Sequence, residues 1–145
     1  MVEVKKEFIT YNSYETLLKE LIDKIEKTKN KYGSIFGIPR GGLPIAVHLS
    51  HQLNIPIIHN ILTLKRRDFP ILLVDDISDT GDTLIEYYVL LERLYPERKF
   101  GVATLFYKPH SKYKPDFYVR ETTSWIVFPW EKPDEKPNRE MYEHL

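Results

Sequence analysis

Cysteine is absent from the 145 residues, which removes disulfides, thiolate metal sites and cysteine nucleophiles together. Net charge is absent as well. The 21 lysines and arginines are balanced by 21 aspartates and glutamates, so no overall field draws the chain to nucleic acid or to an anionic membrane. No apolar run reaches the ~20 residues of a membrane span, and Met1-Val-Glu-Val-Lys-Lys-Glu7 lacks the apolar core of a signal peptide. These absences point to a cytoplasmic protein with neither a nucleic-acid nor a membrane partner. No Gly-Lys-Ser/Thr triplet occurs, which excludes a nucleoside triphosphate P-loop. Neither an internal repeat nor a linker divides the chain, and 145 residues suit one domain, 1–145, with a core of its own.

What is present is ordinary globular material, 42% hydrophobic and 29% charged. Apolar residues at Leu17, Leu18, Leu21, Ile22 and Ile25 predict a helix over 13–29, with Ser13 as N-cap. Ser34–Ile38 reads as a short buried strand, Leu43–Leu53 as a helix and Ile55–Ile58 as a strand. Ile71–Val74 is a strand apolar on both faces, followed after a polar loop by a helix from Leu84 to Tyr95. Phe100–Tyr107, Asp116–Val119 and Trp125–Phe128 complete the strands. Strands alternating with helices predict an α/β fold, a doubly wound, mostly parallel sheet flanked by helices. The tail over 132–145 is charged and proline-punctuated, with Asn138 a candidate cap for a last helix to Leu145.

Two loops carry candidate chemistry. In Asp75-Asp-Ile-Ser-Asp-Thr-Gly-Asp-Thr83 a strand turns acidic and enters a helix through Thr80-Gly81. Helix N-termini offer amides to phosphate, and the Thr80 and Thr83 hydroxyls add donors. Asp75 and Asp76 repel phosphate but accept bonds from sugar hydroxyls or act through a divalent cation. A ligand with both a ribose and a phosphate satisfies the stretch. A calcium loop starting at Asp76, with Ser78, Thr80 and Gly81 in register, fails at its twelfth position, Tyr87. The second loop is Pro39-Arg40-Gly41-Gly42, where paired glycines allow positive φ and close backbone approach, and Arg40 offers a planar fork to phosphate.

Two acidic residues after an apolar strand, then x-x-Asp-Thr-Gly-x-Thr, resemble the phosphoribosyl pyrophosphate (PRPP) motif of type I phosphoribosyltransferases. The resemblance implies that Asp75, Asp76, Ser78, Asp79, Thr80, Gly81, Asp82 and Thr83 bind PRPP, with Mg²⁺ as cofactor near Asp75 and Asp76 by way of ribose and water. It assigns pyrophosphate to Arg40, Gly41 and Gly42, and suggests a cis Pro39–Arg40 peptide. Family members acting on 6-oxopurines carry Asp at the position of Asp79, where it takes or shares a purine proton; the alternative is that Asp79 only caps the helix.

The distal segment resembles the base-binding part of small xanthine–guanine phosphoribosyltransferases. By that likeness Lys108 donates to purine O6, Trp125 stacks on the ring, and the backbone at Ile126 faces the C2 substituent. The implied activity is transfer of the phosphoribosyl group from PRPP to N9 of hypoxanthine, guanine or xanthine in purine salvage, with Asp75, Asp76 and Asp79 catalytic. A regulator that senses PRPP or a nucleotide without turnover, and an enzyme acting on a pyrimidine, remain as other readings.

The chain departs from the family where a long flexible hood is expected. Only His59–Pro70 stands there, much of it strand-like, with Lys65, Arg66 and Arg67 either assisting pyrophosphate or forming a basic surface turn. His48 and His51 read as an ordinary helix face, and His110 falls near the expected base pocket without an assigned role. Tyr87, Tyr88 and Trp130, read as exposed aromatics, suggest a homodimer or higher homo-oligomer.

Overall fold

A computed structural model describes residues 5–133; the expected helix from Asn138 to Leu145 lies outside the described residues. In chain order the elements are β1 (Lys6–Phe8), α1 (Tyr11–Glu26), β2 (Ser34–Gly37), α2 (Gly42–Leu53), two 3₁₀ turns (Ile61–Thr63 and Arg66–Asp68), β3 (Ile71–Val74), β4 (Ile77–Ser78), α3 (Asp82–Leu94), β5 (Phe100–Ala103), β6 (Phe106–Tyr107), β7 (Arg120–Glu121) and β8 (Trp125–Val127).

The central sheet is parallel, in the order β2-β3-β5, and single bridges add Ile57 beside Ile35 and Phe117 beside Ala103. Counting these two segments, the strands lie in the order second, first, third, fourth, fifth, one of the common doubly wound arrangements. Its switch point falls between β2 and β3, so the loops leaving these two strands diverge and open a crevice. β3 lies at the centre and is buried throughout. Leu72 and Val74 pack on the α1–α2 side, while Ile71 and Leu73 pack on the α3 side. An unbroken apolar run is what a strand covered on both faces requires.

Differences from the expected elements have local causes. Helix α1 is capped by Thr10, whose hydroxyl accepts from the Ser13 amide at 3.0 Å, so Ser13 lies in the first turn. Ile55–Ile58 forms a single bridge in place of a strand. The Ile35 amide donates to the Pro56 carbonyl and Ile58 donates to Ile35, while Pro56 itself has no N–H to extend the ladder. Phe100–Tyr107 is broken between β5 and β6, and of Asp116–Val119 only Phe117 pairs. The Asp116 side chain instead accepts from the Val102 amide at 2.8 Å. The segment 59–70 is two 3₁₀ turns and not strand; the Tyr95 hydroxyl donates to the Ile61 carbonyl and accepts from the Leu64 amide, pinning the segment to the end of α3.

The break in β5 belongs to a line of bulges across the sheet. The Asp76 carbonyl accepts from both the Leu105 and Phe106 amides, at 3.1 and 3.2 Å, and the Leu105 carbonyl accepts from both Val119 and Arg120 at 3.1 Å. Beyond this line the strands resume as a second parallel sheet, β4-β6-β7. Bulges re-aim side chains, and the residues at this one in the central strand are Asp75 and Asp76. A third, two-stranded sheet pairs β1 with β8 in parallel, Lys6 opposite Trp125 and Glu7 opposite Ile126.

The start of α2 crosses the end of β3 with no space between. A methyl group at Gly42 would collide with the Val74 carbonyl oxygen and stand 3.0 Å from the Asp75 Cα, both of them backbone. Gly42→Ala is expected to cost about 2 kcal/mol, as overpacked sites do. The check is the urea unfolding midpoint, read at unchanged slope; an unmoved midpoint would show that the crossing has slack.

Candidate functional site

The site is built at the carboxyl ends of β2 and β3, outside the switch point, where open α/β sheets hold their ligands. Asp75 and Asp76 leave β3 side by side and are partly buried. The Asp76 amide donates to Asp75 Oδ1 at 2.9 Å, and the Ile77 amide donates to Asp76 Oδ1 at 2.8 Å. Each carboxylate thus has one oxygen fixed by backbone. Burial, and then the charge of Asp76, push the Asp75 carboxyl well above the ordinary carboxylate range. Burial raises Asp76 too, against hydrogen bonds that offset part of the effect.

Across the crevice, the loop after β2 brings Gly41 against the Asp76 carboxylate, so close that a methyl group there would overlap it. Neither Gly41 nor Gly42 uses positive φ; Gly41 has φ −60°, and close approach is what both positions require. The Pro39–Arg40 peptide is cis, as the family resemblance suggests, and so is Phe69–Pro70. Arg40 is exposed at the tip of this loop.

After β4 the acidic loop turns into α3 through Gly81, the one described glycine with positive φ, at +87°. Asp82 and Thr83 open the helix, where first-turn amides have no carbonyl of their own to meet. The Thr80 hydroxyl accepts from the Asp82 amide at 3.2 Å.

A second loop, 108–113, is fastened along this one. The Lys108 amide donates to the Ser78 carbonyl at 3.0 Å and the Lys112 amide to the Thr80 carbonyl at 2.9 Å. The Ser78 hydroxyl is buried between Ser111 Oγ and the Tyr113 carbonyl, 2.7 Å from each. Ser78, expected among the ligand-binding residues, therefore turns its side chain away from the crevice and holds the neighbouring loop. Lys112 pairs with Asp82 at 3.1 Å, and Asp79 Oδ1 receives Lys108 Nζ at 3.4 Å and His110 Nε2 at 3.0 Å. Asp79 and Lys108, 29 positions apart by number, are thus brought together. The fastening residues Ser111, Lys112 and Tyr113 escaped sequence reasoning, because contacts 33 and 35 residues apart leave no periodic trace.

The remaining expected residues lie on other elements. Trp125 is half-buried at the start of β8, its amide donating to the Lys5 carbonyl at 2.8 Å. Ile126 sends its side chain into the core and leaves only backbone for a ligand. The basic turn at Lys65–Arg67 packs against Gly33 and Ser34, at the amino end of β2. Its backbone is therefore at the wrong end of the sheet to serve the pyrophosphate loop. His48 accepts or donates a 2.6 Å hydrogen bond with the Tyr14 hydroxyl and joins α2 to α1. Trp130 stacks on Phe128 and meets Tyr14 edge-on, and Tyr87 packs on Phe36, so of the three aromatics read as exposed Tyr88 alone is so. A cavity of about 510 Å³ adjoins both loops through Pro39 and Thr83. Its lining is mostly apolar and includes none of the acidic pair, so it is distinct from the polar cluster.

Comparison with known proteins agrees with this geometry. Residues 57–136 match the phosphoribosyl transferase domain family. The xanthine-guanine phosphoribosyltransferase of Nitratidesulfovibrio vulgaris is 30% identical over 122 residues, 71% of each chain. That of Cereibacter sphaeroides is 32% identical over 120 residues, 68% of each. Among solved structures, a purine phosphoribosyltransferase from Pyrococcus horikoshii superimposes with a TM-score of 0.75 at 34% identity, covering 92% of this chain and 99% of that one. The Helicobacter pylori xanthine-guanine-hypoxanthine phosphoribosyltransferase does so with 0.80 at 28% identity, covering 88% and 93%.

The acidic pair makes a stability prediction. A carboxyl held above its unfolded value binds its proton more tightly in the folded protein. Its cost is therefore absent in acid and grows as pH rises through the folded value. Asp75→Asn should raise the Tm of the metal- and ligand-free protein by about 3–5 °C near neutral pH, with the difference closing as the solution is acidified. A lower Tm at neutral pH would mean that the carboxylate is a net stabiliser.

Proposed function

This chain belongs to the phosphoribosyl transferase domain family and is a purine phosphoribosyltransferase using PRPP; we propose that its acceptor is a 6-oxopurine and that the two loops described above divide the work. The observation that carries the proposal is the Asp79–Lys108 pair, 3.4 Å apart, with the lysine almost wholly buried. A 6-oxopurine presents O6 and N7 side by side on one edge. An ammonium matches the first and a carboxylate accepts a proton at the second. A sensor of PRPP alone has no use for this pair.

In the reaction N9 bonds to the anomeric carbon as its bond to pyrophosphate oxygen breaks, through an oxocarbenium-like state. Asp79 takes or shares the proton that the base gives up. Asp75 and Asp76 accept from the ribose hydroxyls and lie close to the developing positive charge. Thr80, Gly81, Asp82 and Thr83 hold the 5′-phosphate through hydroxyls and helix amides, with the Asp82 carboxylate occupied by Lys112. Arg40 and the Gly41 amide receive the pyrophosphate, and Gly42, whose amide donates to the Ile38 carbonyl at 2.9 Å, serves by letting the loop approach closely. Trp125 and the Ile126 backbone complete the base pocket.

The acidic pair fits Mg²⁺ as a partner held with the substrate, since Mg²⁺ takes one or two carboxylates together with phosphates and waters. When bound with PRPP it supplies charge neutralisation at the departing pyrophosphate. The reaction belongs in the cytoplasm, where phosphorylated substrates are retained. The protein works as a homo-oligomer: Leu43, Val47 and Leu62 are exposed, and Leu43 and Leu62 also line the apolar cavity, a combination that suits cover by a second copy. Light scattering should give at least a dimer mass, and Leu62→Glu should lower it; a monomer in the unaltered protein would remove this assembly.

The function is tested by incubating the protein with PRPP, Mg²⁺ and hypoxanthine, guanine, xanthine, adenine, uracil or orotate, and identifying the nucleotide formed. A 6-oxopurine nucleotide is expected, and turnover confined to adenine or a pyrimidine would overturn the base assignment. Asp79→Asn should cut kcat by about a hundredfold while PRPP still binds; an unchanged kcat would take Asp79 out of the proton transfer.

A further inference from the structure

We propose that His110 is a positioning residue for Asp79, an assignment that rests on the reading of Asp79 as proton acceptor. Both His110 and Lys108 address the same oxygen, Oδ1. The two contacts are unequal. Lys108 Nζ stands 3.4 Å away, longer than the ~2.7–2.9 Å of a well-formed charged N–H···O⁻ bond, whereas His110 Nε2 is at 3.0 Å. An ionised carboxylate only accepts, so this contact requires the hydrogen on Nε2 and leaves Nδ1 as acceptor on neutral His110. With both donors gathered on Oδ1, Oδ2 is the oxygen left for the purine.

The asymmetry matters once base is bound. Lys108 then turns its ammonium to O6, and Asp79 loses the looser of its two partners. Asp79 is 42% exposed on a loop, where a carboxylate would rotate among its rotamers if nothing else held it. His110 is the side chain that remains on Oδ1. It is itself held in place, for the Ser111 amide donates to the Lys108 carbonyl at 2.9 Å and closes a turn around it. That turn is fastened on both flanks to the acidic loop, at Ser78 and at Thr80. The ring is 60% exposed and contributes little to the core, so its presence over Asp79 serves the carboxylate and not packing.

The groups facing His110 are Asp79 from the acidic loop and, across the shared oxygen, Lys108 from its own turn; Lys112 is engaged with Asp82. His110→Ala should lower kcat about tenfold, a fraction of the ~10²–10⁴ that positioned proton transfer supplies, with KM for PRPP and Tm unchanged. His110→Gln should recover most of the loss, because the glutamine amide nitrogen reaches the position of Nε2 and donates to Oδ1. An alanine variant with full kcat would overturn the proposal, and so would a glutamine variant as poor as alanine, which would make the ring a proton carrier. A readout independent of turnover separates this from failure of the function itself. In the free protein, nitrogen NMR of the His110 ring should show the Nε2–H tautomer, and Asp79→Ala should shift it; ring signals indifferent to Asp79 would overturn the positioning role whatever the enzyme assay gives.

Discussion

At the end of the central strand one carbonyl oxygen, that of Asp76, accepts two amides of the neighbouring strand, and the pattern repeats one strand further at Leu105. This shared register fault is the constraint on which the ligand side of the molecule depends. A straight β3 would carry Asp75 and Asp76 alternately to the two helix-covered faces, where an unpaired carboxylate is prohibitively costly. The bulge instead releases both at the crevice, each with one oxygen held by the next amide along the chain. The strand's apolar residues and its acidic residues thus serve one arrangement: four buried residues fix the height at which the fault occurs, and the fault presents the carboxylates.

The second loop can approach because the first residues of α2 have no side chains. Gly42 crosses the backbone of β3 at Val74 and Asp75, and Gly41 meets the Asp76 carboxylate. Doubly wound topology supplies the crevice in general terms; these two contacts bring its two loops together at the Asp76 carboxylate. Residues 59–70, where the family resemblance leads one to expect a hood, are wound into 3₁₀ turns and tied to Tyr95.

What could be read from the sequence was local chemistry in regular settings. β3 and α3 follow from apolar runs and periodicity, and Asp75, Asp76, Thr80, Gly81 and Thr83 sit at the strand-to-helix transition that their spacing implied. The mostly parallel, doubly wound sheet follows from alternation of elements, whereas its strand order comes only from the pairing itself. What escaped reading depends on contacts between distant segments. The breaks at Thr104-Leu105 and around Phe117 are set by the bulge at Asp76, and a run such as Phe100–Tyr107 carries no mark of it. Nor does Ser78 reveal that its hydroxyl faces Ser111 and Tyr113; a serine inside a phosphate-loop motif suggests a ligand until the second loop is in place. The Lys65–Arg67 turn was ambiguous because charge says nothing about which end of a sheet a turn will occupy.

The electrostatics of the acidic loop then make sense as a division. Four aspartates within eight residues, from Asp75 to Asp82, are a poor setting for an anion as rich in phosphate as PRPP, and the helix N-terminus alone, worth about 0.3–1 kcal/mol to a negative group, does not offset them. The second loop does. Lys108 and His110 meet Asp79, and Lys112 meets Asp82. The acids nearest the start of α3 are thereby paired before a phosphate arrives, and the charge left over is that of Asp75 and Asp76, where a sugar hydroxyl or a cation is the fitting partner. The same fastening that fixes the loop conformation thus sorts its charge, with Asp79 and Asp82 met by the second loop and, on the proposed reading, Asp75 and Asp76 left for the ribose. Sequence position alone hides this sorting, because the cations that counter Asp79 and Asp82 come from a separate loop about 30 residues away.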